Sequence, residues 1–246
     1  MQAIIRHDER SEVVNQRERW WAMQWMLWVG AIGIVAGCAS GLGQNTKGVR
    51  EAGVVVDFEK MKVGQKPEGF EMATTGPGAG GEWFVRADAT APQGKQVLVQ
   101  LNADPTNGRY PVCILEDVKA KDVAVTVAFR PISGKVDQAA GIVVRYKDKD
   151  NYYVARANGL EDNVRLYKVE GGKRQQFAGL DGVKAPGAGT WHTLSLKVAG
   201  NQFEVGMDGK KLFEATDDTM KESGRVGVWT KADSVTEFDD LRIVGE

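Results

Sequence analysis

Cysteine and histidine are scarce in this chain: 246 residues contain two of each, Cys38, Cys113, His7 and His192. Two cysteines cannot build the disulfide framework of a small secreted module. Cys113 sits in Pro111-Val112-Cys113-Ile114-Leu115, the setting of a small buried residue rather than a reactive thiol. His192 lies in a separate strand-like segment, so no Cys–His pair is legible. An excess of either charge is missing as well. Lys and Arg number 32 against 33 Asp and Glu, which argues against a nucleic-acid ligand and against a polybasic partner. After residue 53 no segment sustains a helical repeat over three turns.

One long apolar run is present, from Trp20 to Ala36, interrupted by Gln24 and preceded by Arg17 and Arg19. It is at the lower limit for crossing a bilayer, which takes about 20 residues. It ends in small residues and a thiol, Val35-Ala36-Gly37-Cys38, which resembles the lipobox of bacterial lipoproteins. That resemblance implies cleavage before Cys38 and lipid on its sulfur. Residues 1–37 are then a signal peptide, and the chain is held at the cell envelope outside the cytoplasm. Ala39 is not the Asp that retains such proteins in an inner membrane, so the outer membrane is expected where the host has one. An uncleaved anchor and a buried helix are the alternatives. The first nineteen residues are acidic for a leader, with Asp8, Glu9, Glu12 and Glu18, which leaves the start codon open. With Cys38 lipidated, Cys113 has no partner within the chain.

Residues 38–52 are rich in Gly, Ser, Asn, Gln and Lys and read as a flexible tether. Residues 53–246 are long enough for one sizeable core. They show strand after strand: 54–58, 82–87, 96–101, 123–130, 141–146, 152–157, 164–169, 174–178, 191–198, 202–207, 211–215, 225–230 and 235–244. Turn residues stand between them, among them Asn107-Gly108, Gly171-Gly172, Gly200-Asn201 and Asp208-Gly209. Leu194, Leu196 and Val198 alternate with polar residues, and Asp208-Gly209 is a hairpin turn before Leu212-Phe213. Trp191, Leu194, Leu196 and Cys113 are expected in the core. The fold class is all-β, a two-sheet antiparallel sandwich.

Four phrases carry a family resemblance: Gly141-Ile142-Val143-Val144-Arg145-Tyr146, Asp150-Asn151-Tyr152-Tyr153, Val164-Arg165-Leu166-Tyr167-Lys168-Val169 and Trp191-His192-Thr193-Leu194. The chain resembles the concanavalin A-like jelly rolls of bacterial secreted proteins, the laminin G-like and 3-keto-disaccharide hydrolase-like domains. The resemblance implies stacked sheets, one concave, with carbohydrate as the usual ligand of the concavity. Fold alone does not assign the function.

Strand parity selects the candidate ligand face. Ile142 and Val144 suit the core, which sends Arg145 the other way; Val226 and Val228 suit it, which sends Trp229 and Lys231 the other way. Tyr152 and Arg156 share one parity and join them. Arg145, Tyr152, Arg156, Trp229 and Lys231 are therefore the candidate ligand residues, with an aromatic face for a sugar ring and cations for its hydroxyls. A structural calcium is a candidate at Asp57, Glu59 and Asp240, because in jelly rolls the first and last strands often pair and calcium takes six to eight oxygens. No other cofactor is expected.

Catalytic signatures are weak. Glycosidases on this fold carry Glu-x-Asp-x-Glu on a central strand; Glu237-Phe238-Asp239-Asp240-Leu241 supplies two acids and a leucine, on the last strand. Glu161-Asp162 and Asp217-Asp218 read as turn residues. The leading expectation is a lipid-anchored, non-hydrolytic, lectin-like domain. A glycoside-acting enzyme is the alternative that an Asp/Glu pair converging beside Trp229 would favour. A structural or protein-binding surface module is the alternative that a concave face filled by side chains would favour.

Overall fold

A computed structural model describes residues 53–184 and 187–245. The leader, the lipidation site Cys38 and the tether lie outside the described residues. The strands form two antiparallel sheets. The first contains, in spatial order, β13 (Lys210–Thr216), β12 (Gln202–Met207), β11 (His192–Ala199), β6 (Val123–Ser133), β15 (Val235–Gly245), β4 (Gln96–Gln100) and β3 (Trp83–Ala87). The short β1 (Val54–Val56) pairs with β15 beyond the end of β4. The second contains β10 (Lys173–Asp181), β9 (Asn163–Glu170), β8 (Asn151–Asn158), β7 (Ala139–Asp148), β14 (Gly224–Trp229), β5 (Tyr110–Ala120) and β2 (Phe70–Thr75). Strand rhythm points to an all-β sandwich or barrel and the family resemblance to a jelly roll; the two-sheet antiparallel jelly-roll sandwich is the observed architecture.

Two strands escape the sequence reading, β2 and β5. Phe70-Glu71-Met72-Ala73 contains good helix formers and no alternation. In β5, Pro111 cannot donate to a ladder, which demotes a sequence as a strand candidate. The strand forms because Pro111 stands near its end, where its carbonyl still accepts from Thr230 N at 2.9 Å.

Apolar side chains from both sheets meet between them. Ile142, Val144, Val226 and Val228 from one sheet and Val125, Val127, Leu194 and Leu196 from the other belong to this core. Cys113 is part of it, and burial pushes its thiol well up. Trp191 is not. It is half-buried, just ahead of β11, with the Arg130 guanidinium 4.7 Å from its ring. It precedes the first ladder pair of β11, His192 with Phe129, so the core parity that begins with Leu194 does not reach it.

A second buried cluster decides where a ligand can go. Tyr110, Val112, Ile114, Val143, Val154, Tyr167 and Trp229 lie on the opposite face of the second sheet, away from the first. That sheet is bent into a trough around them. Strands are spaced about 4.8 Å apart, so β2 and β8, four steps apart, would be roughly 19 Å apart in a flat sheet. Yet Thr75 Oγ1 on β2 lies 2.9 Å from the Tyr152 hydroxyl on β8. The Thr75 hydroxyl also donates to the Lys149 carbonyl in the β7–β8 turn. Side chains that short can meet only if the sheet curls toward itself.

One bulge contributes to the curl. β7 and β8 lose register between Val144 and Asp148, and Arg145 takes a left-handed backbone conformation, φ 51°. A Cβ on Gly224 of the neighbouring strand would come within 2.3 Å of the Arg145 carbonyl carbon. Only glycine permits that approach.

Candidate functional site

The trough floor is aromatic. The Tyr110 and Trp229 rings stack with centroids 5.3 Å apart. The Arg174 guanidinium, from the edge strand β10, lies over three rings: 4.5 Å from Tyr110, 4.3 Å from Tyr167 and 5.8 Å from Trp229. Gly141 makes room for the indole: a Cβ there would stand 3.3 Å from Trp229 Cε3 and 2.9 Å from the Ala155 carbonyl. Trp229 is fully buried in this arrangement.

A polar cluster closes one end of the floor. Lys231 Nζ lies 2.9 Å from Asp137 and 3.6 Å from Glu161. Glu161 Oε2 accepts both terminal nitrogens of Arg156 at 3.1 Å. Arg156 also donates to Asn163 Oδ1, and Asn158 Nδ2 donates to Asp137 Oδ1 at 2.7 Å. The two carboxyl groups differ in protonation tendency. Burial raises the Asp137 pKa, against the pull of Lys231 and Asn158. Burial works against ionised Glu161 too, but Arg156, Asn163 and Lys231 together hold its pKa below the usual range. Three loops bring the cluster together: the one before β7, the β8–β9 turn and the segment after β14. Val136 and Leu160, both exposed, flank it.

Of the five candidate ligand residues, Tyr152, Arg156 and Trp229 do share the trough face, and Lys231 stands at its polar end. Tyr152 is buried, with its phenol pKa pushed up to about 12 by burial. Trp229 is not an open platform; Arg174 and Tyr110 cover it. Arg145 is elsewhere. Its bulge turns the guanidinium out of the trough to the carbonyls of Lys121, Met220 and Gly200, and over the Phe203 ring at 5.9 Å. Strict alternation cannot foresee a bulge, and a single extra residue reverses the face.

Asp137, Glu161, Tyr110, Tyr167 and Arg174 have no role in the sequence reading. Glu161 reads as a turn residue, and it does sit in the β8–β9 turn. What brings it to the site is its spacing from Arg156, across a two-stranded turn. Tyr167 and Arg174 follow from the parity of β9 and β10 once Leu166 is assigned to the core. Asp137 precedes β7 and Tyr110 opens β5, and neither carries a periodic signal.

The acids of the last strand face the other way. Glu237 and Asp239 are buried on the outer side of the first sheet. Glu237 is clamped by Arg86 and Arg130, and Arg130 also pairs with Asp88. Asp240 breaks the alternation with φ 50° and turns to Arg242 at 2.9 Å. His192 pairs with Asp208 at 2.7 Å on the same sheet, opposite the trough.

The residues named for calcium do not gather as a set. Asp57 Oδ1 accepts the Glu59 amide at 3.2 Å, and Glu59 Oε1 accepts the amides of Lys95 and Gln96 at 2.7 and 2.6 Å. Asp240 is taken by Arg242. Among the described residues no group of three Asp, Glu, His or Cys side chains is placed to hold a metal. The trio as placed therefore does not fit an ion that takes six to eight oxygens.

Asp239, the acid beside them, makes a pH prediction. Burial, with some contribution from Asp240 and Glu59, raises its pKa to about 6, although the amides of Gln93 and Asp240 oppose this. A raised folded-state value favours the protonated form, so this contribution to stability is present below about pH 4 and is lost as pH rises through about 6. Asp239→Asn should therefore gain on the wild type across that window and be more stable at pH 7. After discounting for solvent screening we expect about 1 kcal/mol. Urea melts at pH 4, 5, 6 and 7 check it; a constant difference across the series rules the linkage out. A melting temperature raised by millimolar calcium at pH 7 would show that a cation does collect near Glu59 and Asp239.

Comparison with known proteins agrees with the architecture. A family model described as galactocerebrosidase, C-terminal lectin domain, matches residues 106–246. The carbohydrate binding module CBM66 from Bacillus subtilis superposes with a TM-score of 0.56 at 16% identity, over 71% of this chain and 95% of that one. A β-glucanase from Bacillus licheniformis does so with a TM-score of 0.51 at 10% identity, over 79% of this chain and 98% of that one. At such identities the likeness is one of fold. No curated protein matches the sequence.

Proposed function

We propose a carbohydrate-binding role for this protein, on the premise that the chain belongs to the family of galactocerebrosidase C-terminal lectin domains. The binding site is the polar end of the trough, where Lys231, Glu161 and Arg156 meet the Tyr167 ring. The observation that carries this reading is how these side chains are held. Each is fixed by another charged or amide group, and the Arg156 guanidinium lies 5.5 Å from the Tyr167 centroid. Fixed donors and acceptors beside an aromatic edge are what hydroxyl-rich ligands need. The middle of the trough is filled by its own side chains, as a structural module would have it. Family membership and the preorganised polar end favour binding over that alternative.

The reading extends to anchoring and to the lack of turnover. Val35-Ala36-Gly37-Cys38 supports lipid on Cys38 and a place at the outside of the cell envelope. One acyl chain binds membranes only marginally, so stable anchoring needs more than one. Binding without hydrolysis is favoured because both carboxylates are already engaged, Asp137 by Lys231 and Glu161 by Arg156.

A second reading, a glycoside-acting enzyme, draws on the same pair. Asp137 and Glu161 both approach the Lys231 ammonium, which keeps their carboxyl oxygens no farther apart than the paired carboxylates that act on glycosidic bonds. Their pKa values are pushed in opposite directions, as an acid and a base require.

One experiment separates these readings. Purified protein is tested on a glycan array and assayed for hydrolysis of the glycans it binds, as wild type, Lys231→Ala and Asp137→Asn. We expect binding, at least a tenfold loss in Lys231→Ala and no turnover. Turnover that disappears in Asp137→Asn would install the enzyme; absence of any glycan ligand would leave the structural module. Lipid labelling of the intact chain and of Cys38→Ala tests the anchor. Label persisting in the variant refutes it.

A further inference from the structure

Among the described residues of the trough face, Arg174 stands without an opposite partner. On this face the cations Arg156, Arg165, Arg174, Arg225 and Lys231 stand among the carboxylates Glu71, Asp137, Glu161 and Asp181. Arg165 pairs with Asp181 at 2.8 Å. Arg225 pairs with Glu71 at 2.6 Å, and Arg156 and Lys231 share the other two acids. No ion pair or hydrogen bond engages Arg174 among the described residues, and its buried Nη1 has no acceptor. The three rings take up only the faces of the guanidinium. Its in-plane N–H groups are the directional donors, and a guanidinium carries five of them. Leaving such a donor buried and unpaired is costly, the more so when it is charged.

The indole beneath it adds no donor that a ligand could reach: Trp229 is wholly buried, and its Nε1–H lies against the Tyr152 hydroxyl. A cationic donor with no acceptor defines what is missing: an oxygen-bearing anion.

We infer that the saccharide this trough binds is acidic, carrying a carboxylate or a sulfate ester whose oxygens accept from Arg174. The inference rests on the carbohydrate-binding reading and names the class of sugar. A fork of N–H groups suits either anion, because both present two or more oxygens in one plane. A neutral sugar could accept hydrogen bonds from the guanidinium but would leave its charge without a counterpart.

The test is titration calorimetry with oligosaccharides matched in length: neutral galactan, oligogalacturonate and sulfated galactan. Wild type, Arg174→Gln and Arg174→Lys are compared at 50 and 500 mM NaCl, with circular dichroism and thermal melts to confirm folding. We expect one or both acidic ligands to bind at least tenfold more tightly than galactan at low salt, with the preference shrinking at high salt. Arg174→Gln should lose the preference for the acidic ligands. Arg174→Lys should retain only part of it. The uronate and sulfate arms decide which anion is meant. Equal affinity for neutral and acidic ligands, or a preference that survives Arg174→Gln, overturns the inference and leaves the lectin reading standing. Binding to none of the three, with none on the wider array, removes both.

Discussion

Trp229→Ala should lower the stability of this protein by about 3–5 kcal/mol, the usual cost of emptying a buried tryptophan site. The indole stacks on Tyr110, lies under Arg174 and fills the space that Gly141 leaves open. Its removal leaves a cavity that a bent sheet cannot readily close, since Val112 and Gly141 are fixed to either side of it in the ladder. Equilibrium urea denaturation followed by circular dichroism measures it. A loss below about 1 kcal/mol would mean that the indole is peripheral and that the second apolar cluster contributes little. Trp229→Phe is the milder variant: it keeps a six-membered ring and loses the pyrrole portion with its Nε1, so its stability cost should be the smaller.

That tryptophan also shows how far the sequence could be read. Val226, Val228 and Trp229 obey simple alternation, and the structure puts the valines between the sheets and the tryptophan on the far face. The same rule applied to Arg145 fails, because φ 51° inserts a bulge that no local residue announces. The sandwich itself was legible from turn residues and apolar alternation, since each strand states its period independently of the rest. The site was legible only in part. Lys231 and Arg156 follow from parity, but Asp137 and Glu161 reach them across loops, and Arg174 reaches Trp229 across four strand steps. Contacts of that kind depend on sheet curvature, which is a property of the assembled sheet. The calcium trio illustrates the converse. The first and last strands do pair, yet Asp57, Glu59 and Asp240 do not gather: Arg242 and three backbone amides take up their oxygens.

Arg109→Leu should be comparably costly, about 3–5 kcal/mol, by a different route. Arg109 is fully buried beside the aromatic floor, immediately before Tyr110. Its guanidinium donates to four backbone carbonyls: Nε to Ala79 at 2.6 Å, Nη2 to Gly80 at 3.0 Å, and Nη1 to Ala232 and Asn102. Three loops that have no ladder partner at this point are thereby tied to one side chain. Burial lowers its pKa, and Asp104 and Glu82 oppose that only in part. Leucine fills much of the volume but offers no donor, so several carbonyls lose their partner, each worth about 1–3 kcal/mol where water cannot replace it. The segment after β14 is among the freed loops, through Ala232, and it positions Lys231. The variant should therefore lose glycan affinity at temperatures where it is still folded. Arg109→Lys provides the control, restoring a cation and one or two of the four bonds, with stability between leucine and wild type. Thermal melts and array binding on the same preparations check both effects. Wild-type affinity in folded Arg109→Leu would show that Lys231 holds its place without this clamp, and that Asp137 and Glu161 are sufficient to fix it.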